Sequence, residues 1–135
     1  MANNISSVTT REQFSPVHQY EIWLADIPVL KNSHIQYGYR PVVVVSNDAA
    51  NTYSPVITVV PLTSRMHKPH LPTHVYLVGQ GLERAGIALC EQIMPLDRHR
   101  LRRRLGVVYK PFDRLAICHA LAIQLGLKSQ LETAA

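Results

Sequence analysis

The sequence predicts a small, mainly β domain of the α+β class, a strongly curved antiparallel sheet covered in part by one C-terminal helix. Three observations carry this expectation. The apolar residues between Glu21 and Val108 fall into about six short runs punctuated by Pro, Gly, Asn and Asp. Those runs are rich in β-branched residues and shorter than a typical globular helix. Only after Pro111 does an apolar spacing of three and four persist, which is the period of a helix packed on one face.

The elements follow in order. Residues 1 to 17 are rich in Ser, Thr and Asn without periodicity and read as a mobile extension. Glu21 to Ile27 is a first strand ended by Pro28, followed by a loop of about a dozen residues that closes at Gly38-Tyr39-Arg40-Pro41. Val42 to Ser46 fits a strand buried on both faces. Asn47-Asp48 and Asn51-Thr52 mark a connection, and Val56 to Leu62 forms the next strand, with Pro61 placing its end near an edge. His74 to Leu77 reads as a half-exposed strand, and Ile87 to Met94 as another, closed by Pro95. Asp97 is placed to cap a short helix through Leu101, and Leu105 to Val108 offers one more strand. Pro111 and Asp113 suit the first turn of the last helix, where Leu115, Cys118, Ala122 and Leu125, with Leu121 beside them, form the expected packing stripe. The domain is expected over 18–129, with 130–135 a short tail.

The 135 residues, 47% hydrophobic and 17% charged, have the composition of one globular domain. The longest apolar run is far below the roughly 20 residues that cross a bilayer, and the first residues lack the basic and apolar regions of a secretory signal. A cytoplasmic protein is therefore expected. Cys90 and Cys118 lack metal-ligand spacing and read as buried thiols in preference to a disulfide. The formal charge is +5, and Arg98, Arg100, Arg102, Arg103 and Arg104 concentrate it within seven residues. Such a balance favours a polyanionic partner, nucleic acid or acidic protein.

The ordered set Arg40-Pro41 before an apolar strand, Ser46-Asn47-Asp48, Leu62-Thr63-Ser64 and Leu71-Pro72-Thr73-His74-Val75 resembles the MazF/PemK family of toxins. Gly86 to Ile93, including Cys90-Glu91-Gln92, and Leu96-Asp97-Arg98 to Leu101 extend the resemblance, which spans about Tyr20 to Leu125. It implies an SH3-like barrel with a terminal helix, of the kind shared by CcdB and MazF, assembled as a homodimer. It also implies the toxin of a type II toxin-antitoxin system, with a cognate antitoxin laying an extended acidic segment across the RNA groove. The implied activity is metal-independent, sequence-specific cleavage of single-stranded RNA by the 2′-hydroxyl, leaving 2′,3′-cyclic phosphate and 5′-hydroxyl ends. No cofactor is implied. The resemblance carries the active-site arginine onto Arg40 and the threonine onto Thr63. The chain departs from the family in two places: His34-Ile35-Gln36-Tyr37-Gly38 replaces Ser-Glu-Gln-Gly-Gly, and Tyr20-Glu21 replaces Gly-Asp.

The residues themselves bear on the same chemistry. Attack of a 2′-hydroxyl needs a proton acceptor, stabilisation of the phosphorane and a proton donor for the leaving oxygen. Arg40 suits charge stabilisation, since its fork of donors engages two phosphoryl oxygens; deprotonating it as a base near neutrality is costly. Thr63 supplies one further hydrogen bond. A histidine exchanges protons near neutral pH, so His34 and His74 are the candidate carriers. Gln36, Tyr37, Tyr39, Ser64, His74, Arg98 and Arg100 are candidate RNA contacts, the tyrosines by stacking on unpaired bases. His67, His70 and His99 form no ligand constellation, and no metal is assigned.

Each residue also has a plain structural reading. Arg40 can cap a sheet edge or pair with Glu91, Thr63 can be an ordinary strand-end residue, and His34 and His74 can be inert. The tyrosines can pack on the barrel wall, and the arginine cluster can be a solvated helix face. Two other functions fit the same fold: a gyrase poison resembling CcdB, and a relative that binds RNA or antitoxin without cutting. The gyrase poisons end in Trp-Gly-Ile, whereas this chain ends in Leu-Glu-Thr-Ala-Ala and has its one tryptophan at Trp23.

Overall fold

The computed structural model describes residues 14–66 and 70–127. Most of the expected N-terminal extension, His67 and the expected tail lie outside the described residues. The elements are β1 (Glu21–Ile27), β2 (Gly38–Val44), α1 (Asp48–Tyr53), β3 (Val56–Thr63), β4 (His74–Leu77), β5 (Gly86–Leu89), β6 (Met94–Asp97), β7 (Leu101–Val107) and α2 (Pro111–Leu125). The strands pair in the order β4-β5-β3-β2-β1-β7, with β6 also pairing to β3, and all of these pairings are antiparallel. The expected antiparallel sheet with a C-terminal helix is present. Among the described residues no pairing of β4 with β7 closes it.

Side-chain alternation along β2 and β3 divides the interior in two. Val42, Val44, Ile57 and Val59 pack with Ala25, Ile27 and Leu96. Val43, Val60 and Leu62 pack with Leu77, Ala88 and Cys90 and with Ile117 and Ala120 of α2. Both strands are therefore buried on each face, which is why their valine runs show no polar alternation.

Several expectations are corrected. Asn47 caps α1, its side chain accepting the N–H of Ala50 at 2.8 Å, so the expected connection is a short helix. Pro61 lies opposite Val42 in mid-sheet, not near an edge. It is tolerated there because pairing of β3 with β6 stops at Val59 and pairing with β5 starts at Leu62. The expected strand from Ile87 to Met94 is broken by a 3₁₀ turn at Cys90–Gln92, and Pro95 lies inside β6. The expected helix after Asp97 is a three-residue 3₁₀ turn, Arg98–Arg100, without a side-chain cap. The arginines that follow belong to β7, because the open edge of β1 takes up Leu101 to Val107 as a partner.

The stripe on α2 is also corrected. Ile117 and Ala120 face the core, whereas Leu115, Cys118 and Leu125 are exposed. Of the two cysteines only Cys90 is buried; both are free. Burial and the neighbouring Glu91 push the Cys90 thiol up to about 12. Among the described residues, no helix is long and apolar enough to cross a membrane.

Candidate active site

A groove of about 730 Å³ is lined by residues of β1, β2, β3 and β7. Leu24 of β1 pairs with Pro41 of β2 on one side and with Arg103 of β7 on the other. These three, with Leu62 and Thr63 of β3, line the groove below a wall made by residues 81–86. That wall is held against β7 by a close crossing of two glycines. A Cβ on Gly81 would lie 2.3 Å from the Leu105 carbonyl oxygen, and one on Gly106 would lie 2.2 Å from that of Gln80. No side chain fits at either position. Gln80 completes the anchor, its Oε1 accepting the N–H of Tyr109 at 3.0 Å and its Nε2 donating to Asp113 at 2.9 Å.

Arg40 stands at the start of β2 and is oriented by two main-chain carbonyls. Its Nε donates to Tyr37 at 2.9 Å and its Nη1 to Leu62 at 3.2 Å. A guanidinium carries five N–H donors, so these two contacts aim the fork without exhausting it. Burial, and then the neighbouring Arg65, lower its pKa, with Tyr37 acting in the opposite sense. Thr63 is 4% exposed, and its hydroxyl oxygen accepts the N–H of Arg65 at 3.2 Å. Its hydroxyl proton has no acceptor among the described residues.

Of the residues expected at a site, Tyr39, Arg40, Thr63 and Ser64 line this groove. Tyr37 takes part through its carbonyl. Gln36 is tied by its main-chain N–H to Gln92, and His34 is exposed, its carbonyl accepting from Gln92. Neither side chain is in the groove lining. His74 is not half-exposed: it is 8% exposed, and Nε2 faces Glu91 at 3.0 Å. Glu91 is engaged there and with Thr73, so it is not a partner of Arg40. Arg98 is spent on the carbonyls of Ser15, Asn51 and Ser54 and lies over the Phe14 ring, while Arg100 pairs with Asp26. Those two arginines are packed by the 3₁₀ turn away from the groove lining.

Glu83, Arg84 and Arg103 line the groove but were not among the expected site residues. Arg103 belongs to the arginine cluster, and only the β7 register separates it from its neighbours. Glu83 and Arg84 carry no local signal; they reach the groove because the glycine crossing brings their loop there. With Arg40, three arginines face a single glutamate, which makes the groove basic.

The family model described as the PemK-like, MazF-like toxin of type II toxin-antitoxin systems matches residues 18–125. The fold is similar to that of a mycobacterial endoribonuclease, with a TM-score of 0.68 and 25% identity over 85% of this chain and 96% of that one. It is similar also to a mycobacterial endoribonuclease in complex with its cognate antitoxin, with a TM-score of 0.68 and 28% identity over 82% and 96%. The MazF of Deinococcus radiodurans matches with a TM-score of 0.68 and 27% identity over 84% and 98%. The chain belongs to the PemK-like, MazF-like toxin family of type II toxin-antitoxin systems.

Proposed function

We propose that this toxin is a metal-independent endoribonuclease that cuts single-stranded RNA, mRNA included, within a short sequence context in the cytoplasm. The observation that carries this reading is the meeting of Arg40 and Thr63 in one basic groove. The similarity to endoribonucleases supports it.

The reaction forms a bond from the 2′-oxygen to phosphorus and breaks the bond from phosphorus to the 5′-oxygen. A proton leaves the 2′-hydroxyl and another reaches the departing oxygen, giving 2′,3′-cyclic phosphate and 5′-hydroxyl ends. Arg40 holds the phosphoryl oxygens as charge grows on them, and Thr63 adds one donor. In a desolvated groove such donors commonly supply a few kcal/mol each. His34 is the proposed proton carrier on its chemistry, an imidazole on the loop that leads into Arg40; its ring stands outside the groove lining and has to swing in to reach the 2′-hydroxyl. Tyr39 and Ser64 contact the RNA, with Arg84 and Arg103 on its phosphates.

A cognate antitoxin would compete for the basic groove with an acidic segment, a reading supported by the similar endoribonuclease seen with its antitoxin. The toxin acts as a homodimer. Phe112, Leu115 and Leu125 are 81%, 67% and 53% exposed on the side of α2 opposite Ile117 and Ala120, an apolar face suited to a second copy.

The test is incubation of the pure protein with a defined single-stranded RNA in EDTA, followed by mapping of fragment ends. Fragments with 5′-hydroxyls are expected, and they vanish in Arg40→Ala and Thr63→Ala. Intact RNA that is bound tightly overturns the reading in favour of a non-cleaving relative, and gyrase-dependent DNA breakage points to a CcdB-like poison.

A further inference from the structure

The segment Cys90-Glu91-Gln92 is part of the family-like pattern, yet the groove lining does not include it. Its 3₁₀ turn is firmly seated. Cys90 is fully buried in the core and its N–H donates to the Thr73 carbonyl at 3.1 Å, while Glu91 holds the Thr73 hydroxyl at 2.9 Å and His74 at 3.0 Å. From this seat Gln92 reaches across to the loop before β2. Its Oε1 accepts the N–H of Gln36 at 2.8 Å, and its Nε2 donates to the carbonyl of His34 at 3.4 Å. One side-chain amide thus pairs with two main-chain groups, as a neighbouring strand would. The peptide of Tyr37 follows directly, and its carbonyl is one of the two that orient Arg40.

We propose that Gln92 is a positioning residue for Arg40. The amide fixes the path of the chain at Gln36, that path sets where the Tyr37 carbonyl stands, and the carbonyl aims the Arg40 fork at the groove. Without the clamp the Tyr37 carbonyl is held only from its C-terminal side, where Gly38 pairs with Ile27, so it can shift and the Arg40 fork with it. A displacement of about 1 Å in a catalytic group can cost on the order of a hundredfold in rate. The proposal rests on the cleavage reading above.

The experiment compares kcat, KM and Tm for the wild type, Gln92→Leu, Gln92→Glu and Arg40→Lys, and for Gln92→Leu combined with Arg40→Lys, on the same RNA. Gln92→Leu is expected to lower kcat by about tenfold or more while the Tm stays near that of the wild type. Gln92→Glu keeps an acceptor for Gln36 and loses the donor to His34, so it falls between. In the Arg40→Lys background, Gln92→Leu is expected to cost less than about twofold, because residues acting as a unit are not additive. Full, additive losses in the double variant, or an unchanged kcat in Gln92→Leu, overturn the positioning role alone. A wild-type protein that leaves RNA intact overturns the cleavage reading and this proposal with it.

Discussion

Nε2 of His74 lies 3.0 Å from Oε2 of Glu91, and Nδ1 of the same ring accepts the main-chain N–H of Leu71 at 3.3 Å. The ring proton therefore sits on Nε2, between the two side chains. His74 ties the turn at Leu71 to the turn at Glu91, which leaves it no free edge for a substrate.

This pair has a consequence for stability at low pH. Burial pushes the Glu91 carboxyl up, but its own main-chain N–H, His74 and Thr73 outweigh that and hold it below its ordinary value of 4.5. A depressed carboxylate contributes stability above its unfolded value and loses it as pH falls through the folded value. Urea unfolding from about pH 7 to about pH 3 should show the wild type losing stability more steeply below the ordinary carboxylate range than Glu91→Gln. Parallel profiles would sink this account.

The arginines should separate into two classes by salt dependence. Affinity for an RNA made uncleavable by a 2′-deoxy substitution should fall with salt, with a slope of about 0.7 per phosphate neutralised. Arg84→Ala and Arg103→Ala should each reduce that slope by about 0.7. Arg98→Ala and Arg100→Ala should leave it unchanged. Arg98→Ala should instead lower stability by about 1–2 kcal/mol, since carbonyls of Asn51 and Ser54 lose their donor. An equal slope change from all four would contradict the placement of the groove.

Tyr20 occupies the left-handed region, with φ of 72°, where the family pattern has glycine. Its backbone bridges Val44 and Val108 through bonds of 2.7 and 2.8 Å, and its ring lies 4.9 Å from the Arg114 guanidinium. The ring and the backbone can be separated by substitution. Tyr20→Ala and Tyr20→Gly lose the same ring contacts, but only alanine keeps the strained Cβ. Glycine should be the more stable variant by about 1 kcal/mol in denaturant unfolding. Equal stabilities would mean that the local backbone relaxes at no cost.

The exposed face of α2 should carry self-association. Leu115→Asp should sediment as a monomer with an unchanged far-ultraviolet circular dichroism spectrum, because Leu115 is not part of the core. A stable dimer in this variant would move the interface elsewhere.

Much of this molecule is legible along the chain because it depends on neighbours in sequence. The bounds of β1 and β4 follow from short apolar runs between turn residues, and the start of α2 follows from Pro111 and Asp113. Arg40 and Thr63 stand out through the motifs around them. The buried face of α2 differs from the expected stripe because apolar residues recur at helical spacing on both sides, and spacing alone does not say which side meets the sheet. His74 looked half-exposed by alternation, but the edge of β4 is folded under the turn at Leu71 and the carboxylate of Glu91.

What the sequence by itself determined is the class of fold, the family and the choice of Arg40 and Thr63, both of which line the groove, since each is written in local pattern. Tertiary structure alone decided which arginines meet them. Arg103 faces the groove because β7 pairs with β1 in one register, Arg98 does not because the 3₁₀ turn before β7 delivers it to the carbonyls of Ser15, Asn51 and Ser54, and Arg84 arrives because Gly81 and Gly106 let two backbones cross without side chains between them. Register and close approach are relations between segments distant in sequence, and they are set by burial and main-chain pairing over the whole sheet.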